Sequence, residues 1–362
     1  MLNAAGRGSN LLERLPPPRK VAVVRAPRLG DFVCATPALR ALRAALPAAE
    51  IVLITLPALR ELVRRLSYVD RFAPFPGFPG VAQQLFEPRT ALAFLHEMQR
   101  ERFDLAIQLH GSGVYANPFT LLLGARATAG FVRPEDDASL LDAALPWPTC
   151  GRESLRLLAL MRHIGVAPQG EELVYPVTAV DRRNAELLLH GLPRPLIGVH
   201  AGSYDPRRRW PLPHFAQVAR ALLHRGGSAV VIGSPSEAVE AAALVRAIGP
   251  RAHSLAGRTG LATLGAVIAQ LDLLVTNDSG PAHIGYALGT PTVAIYRRGG
   301  TDRYGPPVQG PFAALEPDAP QDDALVSVEQ VLAAAERLLG ARTGQASELA
   351  ACPQSGLRLS AE

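Results

Sequence analysis

Leu273-Leu274-Val275-Thr276 runs straight into Asn277-Asp278-Ser279-Gly280-Pro281-Ala282-His283, and a helical stretch, Ile284 to Leu288, follows. The apolar run reads as a short buried strand. The small, turn-forming residues behind it end the strand and open a helix. Such a junction aims several backbone N–H groups at one spot, where the positive end of the helix dipole also lies. It is a ready site for an anion, above all a phosphate. The plainer reading makes Asp278 or Ser279 an N-cap and Pro281 a first-turn residue. What separates the two readings is whether other segments repeat the pattern.

They do. Val21 to Ala26 is a short apolar strand, followed by a Gly-bearing loop and an Ala/Leu/Arg helix over 37–46. Ile51 to Thr55 predicts the next strand and 59–66 a helix; 104–109 and 128–132 predict further strands, and 153–164 a helix. A polar connection over 167–195 precedes a restart of the alternation: strands at 196–200, 229–232, 273–276 and 292–296, helices at 213–224, 237–248, 261–269 and 328–339. Alternating strands and helices predict parallel sheets covered on both faces. The restart predicts two Rossmann-like, doubly wound α/β domains facing a cleft, over 20–180 and 181–340. Residues 1–19 are an extension, and 341–362, which lack periodicity, a disordered tail. Segment 72–94, rich in Pro, Gly and Phe, predicts a loop with a partial core. Its other reading is an exposed apolar lip for a lipid-linked substrate. Doubly wound sheets bind ligands at the carboxyl ends of their strands. Gly30-Asp31, Gly202-Ser203, Gly233-Ser234 and Asn277-Asp278 all follow strands and are therefore expected to converge on the cleft.

Composition narrows the function. The chain has 362 residues, 48% of them hydrophobic and 19% charged, which is globular rather than disordered. Of its 37 basic residues only Lys20 is a lysine, a bias that looks genome-wide. A net charge of +5 suits acidic substrates or an anionic membrane surface. The arginines form no stripe with interleaved aromatics, so nucleic acid is not expected as a partner. Cys34, Cys150 and Cys352 are odd in number and far apart, which favours a reducing compartment. No stretch has signal-peptide or membrane-spanning length, so a cytoplasmic location is expected.

Three further segments carry chemistry. Arg25-Ala26-Pro27-Arg28-Leu29-Gly30-Asp31 lacks the G-x-G-x-x-G of a dinucleotide site. Asp31 is either a cleft-facing carboxylate suited to general-base work or a helix cap. The cap reading is weakened by Thr36-Pro37, itself a good cap-plus-first-position pair. His200-Ala201-Gly202-Ser203-Tyr204-Asp205-Pro206-Arg207-Arg208-Arg209-Trp210-Pro211 follows a strand with residues that allow close backbone approach. Its three arginines are either bidentate donors for phosphate or a solvated basic turn, and Trp210 reads as a packing anchor. In Gly233-Ser234-Pro235-Ser236-Glu237, Glu237 is either an acceptor for ribose hydroxyls or a first-turn residue favoured by the dipole. The chain has no Walker A loop, no Asp-x-Asp pair and no histidines at ligand spacing, so neither a carboxylate-held Mg²⁺ nor any other metal is expected.

Together these segments resemble the bacterial heptosyltransferases of glycosyltransferase family 9. Leu29 to Leu39 matches the family's Leu-Gly-Asp and following Pro-Ala-Leu helix, and Gly198 to Pro211 its Gly-x-His-x-Gly and Lys-Arg-Trp-Pro. Leu255, Gly257, Thr259, Leu261 and Asn277 to Pro291 match its closing string. The similarity covers about residues 20 to 340. It implies a GT-B fold and metal-free, inverting transfer of heptose from ADP-heptose to the lipopolysaccharide core, with no cofactor beyond the nucleotide-sugar donor. By the same resemblance Asp31 corresponds to the proposed general base. Arg208 stands where the family has a lysine that neutralises donor phosphate, with Arg207 beside it. Gly202 and Ser203 line the donor loop, Asp278, Ser279 and Gly280 the phosphate helix with His283 adjacent, and Glu237 lies near the ribose. Arg28 and Gly30 fall on the acceptor side. A lipid-linked oligosaccharide acceptor implies peripheral contact with the cytoplasmic membrane. The rival readings are a GT-B enzyme using a UDP-sugar, as transferase or epimerase, and a non-catalytic sugar-nucleotide or glycan-binding protein. Tyr296-Arg297-Arg298-Gly299-Gly300 departs from the family's aromatic-Gly segment, which bears on the sugar and acceptor rather than on the chemistry.

Overall fold

The protein is described here by a computed structural model covering residues 9–317 and 325–350, the last nine of these as backbone. Two six-stranded sheets, parallel throughout, form its frame. The first contains β1 (Lys20–Val24), β2 (Glu50–Thr55), β3 (Arg71–Pro74), β4 (Leu105–Gln108), β5 (Ala127–Val132) and β6 (Ala143–Pro146). Its order is β3-β2-β1-β4-β5-β6. The second contains β7 (Leu196–His200), β8 (Ser228–Val231), β9 (Ala252–Ser254), β10 (Leu273–Asn277), β11 (Thr292–Ile295) and β12 (Phe312–Leu315), in the order β12-β11-β10-β7-β8-β9. Both orders reverse direction once, between β1 and β4 and between β7 and β10. Those are the switch points where doubly wound sheets place ligands. The central strands β4, β7 and β10 are buried along their whole length because helices cover both faces, with polar residues only toward their cleft ends.

The helices are α1 (Leu11–Arg14), α2 (Leu29–Val33), α3 (Thr36–Ala45), α4 (Arg60–Val63), α5 (Pro88–Arg100), α6 (Ala116–Leu121) and α7 (Glu153–His163) in the first half. The second half has α8 (Ala179–Leu189), α9 (Leu212–Leu222), α10 (Ala238–Ile248), α11 (Leu261–Gln270), α12 (Gly280–Leu288), α13 (Thr301–Tyr304) and α14 (Val328–Ala350). One apolar cluster fills the inner face of the first sheet and continues through Tyr175 into α11 and α12. The cleft between the domains therefore rests on a greasy floor. Tyr175 packs against Gly265, where a Cβ would lie 2.3 Å from its ring, and its hydroxyl donates to the Leu261 carbonyl.

Several expectations change. The polar connection over 167–195 contains α8, held by a capping box in which Thr178 and Asp181 satisfy each other's backbone N–H. Strands β3, β6, β9 and β12, not expected from the sequence, form the sheet edges and are only partly buried, so they carry no continuous apolar run. The 59–66 stretch shortens to α4 after a single 3₁₀ turn. The tail expected to be disordered from 341 onward is instead helical to Ala350, while 351–362 lie outside the described residues. In the 1–19 extension, α1 docks Leu11 into the core and bonds to the end of α7; residues 1–8 lie outside the described residues. In segment 72–94, Phe75, Phe78 and Phe94 pack edge-on or stacked around Phe119 as the partial core expected, while Leu85, Phe86 and Leu92 are exposed.

At the end of the first sheet away from the cleft, Glu101 takes Arg71 at 2.8 Å and the single lysine, Lys20. The bonds from Arg71 and then Lys20 hold its carboxyl down to about 2. A depressed carboxylate contributes stability above its unfolded pKa and loses it as pH falls toward the folded value. Melting curves taken from neutrality downward should therefore lose Tm through the window from about 4.3 to about 2. Glu101→Gln should begin lower at neutral pH and fall less steeply; an unchanged acid limb would show that this cluster contributes nothing.

Candidate functional site

Both switch points open onto one cavity of about 700 Å³ between the domains. Its first wall follows β1. The backbone leaves the sheet through Arg25 to Arg28 and turns into α2, which carries Gly30 and Asp31. The Asp31 carboxyl faces the cavity and is 30% exposed. Asp31 lies inside α2 rather than capping it. The Thr36-Pro37 pair is no cap either: α3 starts without a side-chain cap, and the Thr36 hydroxyl donates to the Val33 carbonyl while accepting from Val174 N–H.

The second wall follows β10. Asp278 and Ser279 lead into α12, whose first turn reaches the cavity with Gly280 and His283. Ser279 is the N-cap by position, yet its hydroxyl makes no capping bond. It turns instead to His200 Nδ1 at 3.1 Å and Thr276 Oγ1 at 3.2 Å. The N-terminal end of α12 therefore remains directed at the cavity. Asp278 is buried, which pushes its carboxyl up; His283 and Arg208 pull against that without cancelling it. Burial likewise lowers His283, against the pull of Asp278 and Asp31, so its ring is neutral at neutral pH.

The third wall is the loop after β7. Asn277, the last residue of β10, pins it: its Oδ1 accepts from Trp210 N–H at 2.9 Å and its Nδ2 donates to Ala201 O at 2.7 Å and Gly202 O at 3.2 Å. Trp210 is the packing anchor expected, buried with its indole N–H on Val326 O. Between these fixed points the arginines have distinct stations. Arg208 reaches Asp278 at 3.0 Å on the cavity wall. Arg207 is folded onto Asp205 at 2.8 Å, and Arg209 donates to Ser203 O at 2.9 Å. Across the mouth, the Arg28 guanidinium lies 3.0 Å from the centre of the Tyr204 ring, so a residue of each domain closes the rim.

Not every motif meets here. Glu237 and Gly202 line a neighbouring cavity of about 280 Å³ on the other side of the same loop, with Arg209, Trp210 and Arg297. Gly233-Ser234 serves to place Glu237. One carboxylate oxygen accepts from Ser234 N–H and hydroxyl, both at 2.7 Å, and the other lies 3.6 Å from His200 Nε2. The nearness of His200 is the main reason the Glu237 carboxyl is held down to about 2. Glu237 thus sits in the first turn, as one of its two readings had it, and it also lines the smaller cavity. His200 lies beneath both cavities, in contact with Glu237 on one side and Ser279 on the other. Sequence reasoning missed this link, as it missed Tyr204, Gln83 and Tyr304 on the cavity wall. Among the described residues, no group of three or more His, Cys, Asp or Glu is placed to hold a metal ion, and no helix is long and apolar enough to cross a membrane.

Residues 91–313 match the family described as glycosyltransferase family 9 (heptosyltransferase). The lipopolysaccharide heptosyltransferase 2 of Salmonella typhimurium is 29% identical over 293 residues, covering 76% of this chain and 82% of that relative. Two solved structures share the fold. A family 9 glycosyl transferase from Veillonella parvula aligns with a TM-score of 0.76 and 24% identity, covering 89% of this chain and 98% of that one. The Escherichia coli ADP-heptose lps heptosyltransferase II aligns at 0.73 and 24%, covering 90% and 99%. The two doubly wound domains are thus a GT-B arrangement.

Gly202 is where the geometry is tightest. A Cβ there would lie 1.7 Å from Glu237 Oε1 and 3.0 Å from His200 Nε2. Gly202→Ala should push the carboxylate off His200 and release it toward the ordinary glutamate range. Carboxyl-selective NMR titration checks this: the Glu237 resonance should titrate above the native value of about 2. An unshifted titration would mean the loop gives way instead.

Proposed function

The chain belongs to glycosyltransferase family 9 and is a glycosyltransferase, and on that premise we propose that it transfers heptose from an ADP-activated donor to a lipopolysaccharide core acceptor, with inversion and without a metal. The observation that carries the reading is the opposition across one cavity of a carboxylate, Asp31, to an anion-binding wall made by Arg208 and the N-terminal end of α12. The donor diphosphate would lie against Ser279, Gly280 and Arg208, with the nucleoside entering the smaller cavity and Glu237 accepting from ribose hydroxyls. The acceptor would enter from the Arg28 side. Asp31 takes the proton from its attacking hydroxyl as that oxygen bonds to the anomeric carbon on the face opposite the diphosphate, and the C–O bond to phosphate breaks. Arg208 and the helix dipole receive the charge that develops on the leaving group. A net charge of +5 supports salt-sensitive contact of the protein with an anionic membrane surface, where a lipid-linked acceptor resides.

Transfer assayed with ADP-heptose should persist in EDTA. In the same assay Asp31→Asn should keep donor affinity while turnover falls roughly 10²- to 10⁴-fold, the usual contribution of a positioned base. Near wild-type turnover would remove Asp31 from the chemistry.

Arg208→Ala should raise donor KM and lower kcat together, because its contact strengthens as the diphosphate leaves. Arg208→Lys should restore much of the rate, since a point charge serves phosphate. Arg207→Ala and Arg209→Ala should cost less, because Arg207 is already engaged by Asp205 and Arg209 by the Ser203 carbonyl, whereas Arg208 stands beside Asp278 at the N-terminal end of α12. Kinetics in which Arg208→Ala is silent while Arg207→Ala is severe would move the phosphate site along the loop.

A further inference from the structure

Glu153, the first residue of α7, is 1% exposed. A carboxylate so placed is costly unless paired, and it is paired twice. Its Oε1 lies 3.2 Å from Arg25 Nη2 and its Oε2 accepts from Arg303 Nε at 2.8 Å. Burial pushes the Glu153 carboxyl up, and the charges of Arg25 and Arg303, with the bonds they donate, outweigh it, so the group sits below the usual range and is ionised. The two arginines come from different domains. Arg25 follows β1 on the acceptor side, while Arg303 belongs to α13, which follows β11 on the donor side.

The second side of this junction is also built. Asp302, next to Arg303, accepts from Gly151 N–H at 3.2 Å, and the Arg303 guanidinium stands 5.2 Å from the centre of the Trp147 ring. Helix α13 is therefore seated on the acceptor domain through charge, hydrogen bond and ring. On the other side, Arg25 is buried, and the Nη2 that faces Glu153 also donates to the Asp31 carbonyl at 2.7 Å and stands 3.9 Å from Asp31 Oδ1. A continuous chain of contacts thus runs from the donor domain to the carboxylate opposite the anion wall: Arg303, Glu153, Arg25, Asp31. Four alternating charges balance only when both domains contribute.

We propose that Arg303 and Glu153 are positioning residues for Asp31, acting through Arg25, so that the carboxylate is held in working orientation only while α13 of the donor domain is seated on the acceptor domain. The inference rests on the reading of Asp31 as the base. Without Arg303, Glu153 competes with Asp31 for the one remaining guanidinium, and the short helix that carries Asp31 loses its fixed point. A displacement of about 1 Å in a reacting group costs on the order of a hundredfold in rate. Binding of the donor to Arg208 and α12 is untouched by that loss.

Glu153→Gln would remove the carboxylate shared by the buried Arg25 and by Arg303 and disturb both at once, so the test is built on Arg303, whose side chain is one-third exposed. Arg303→Met keeps the stem and removes the charge. Its kcat should fall about 10- to 100-fold, with donor KM unchanged and with Arg303→Lys recovering part of the loss. The deciding measurement is the kinetic cycle with Asp31→Asn, each variant first confirmed folded by its circular dichroism and melting curve. In the Asp31→Asn background Arg303→Met should add almost nothing, because the group it acts on is gone. If the full penalty reappears there, or if Arg303→Met alone leaves kcat intact and lowers only Tm, the positioning role is refuted and the base reading stands. If Asp31→Asn itself turns over like wild type, the base reading falls and this inference falls with it.

Discussion

The whole site depends on how closely two helix starts approach each other. Helices α2 and α12 leave the two sheets at their switch points and meet across the domain boundary. A Cβ on Gly30 would lie 2.5 Å from the His283 ring, and one on Gly280 would lie 3.0 Å from Leu29. Neither glycine has a left-handed backbone, so their smallness is a matter of space and not of conformation. A larger residue at Gly30 would run into the buried His283 ring and press α2 away from α12, and with it Asp31 from Ser279 and Arg208; at Gly280 the end of the Leu29 side chain would have to yield. The buried apolar cluster that runs from the first sheet through Tyr175 into α11 and α12 supplies the force that holds this approach. The geometry of the cavity is thus inherited from packing.

Charge is then arranged on a frame that packing has already fixed. Four cationic side chains around the cleft have carboxylate partners: Arg208 has Asp278, Arg207 has Asp205, and Arg25 and Arg303 share Glu153. Such pairing prevents the arginines from repelling one another before a ligand arrives. It also aims them. A donor wall whose dipoles and charges are pre-set needs little reorganisation when charge develops on a leaving group, which is where electrostatic catalysis gains most.

The sequence made the frame legible because long apolar strands in alternation with helices have one economical arrangement. The strand-to-helix junction at Asn277 to His283, the Arg loop and Asp31 were visible as motifs, and the cavity brings them together. What stayed hidden has physical reasons. Strands β3, β6, β9 and β12 are the four sheet edges, only partly buried, so no continuous apolar run marks them. Helix α8 was announced only by Thr178 and Asp181, a capping signal inside a polar, Pro-bearing stretch. Glu153 looked like any first-turn acid; its burial depends on Arg25 and Arg303, which are 128 and 150 residues away in sequence. The role of Glu237 was half legible: its cap is local, whereas its contact with His200 needs the β7 and β8 strands side by side.

The residue that ends β10 shows how folding and function share one cause. Asn277 is fully buried, and an amide buried there must find partners. It finds them in the backbone of the Arg loop, at Trp210, Ala201 and Gly202. Satisfying that amide fixes both ends of the segment that carries Ser203 to Arg209. The indole of Trp210 then locks the far end against Val326. Had the loop been tied down by surface ion pairs alone, each worth about 0 to 1 kcal/mol, Arg208 would sample many positions and the anion wall would be diffuse. Because the tie is a buried amide, releasing the loop would strand polar groups in the interior, at a cost of about 1 to 3 kcal/mol each. The same hydrogen bonds that complete the fold therefore hold the guanidinium opposite Asp31.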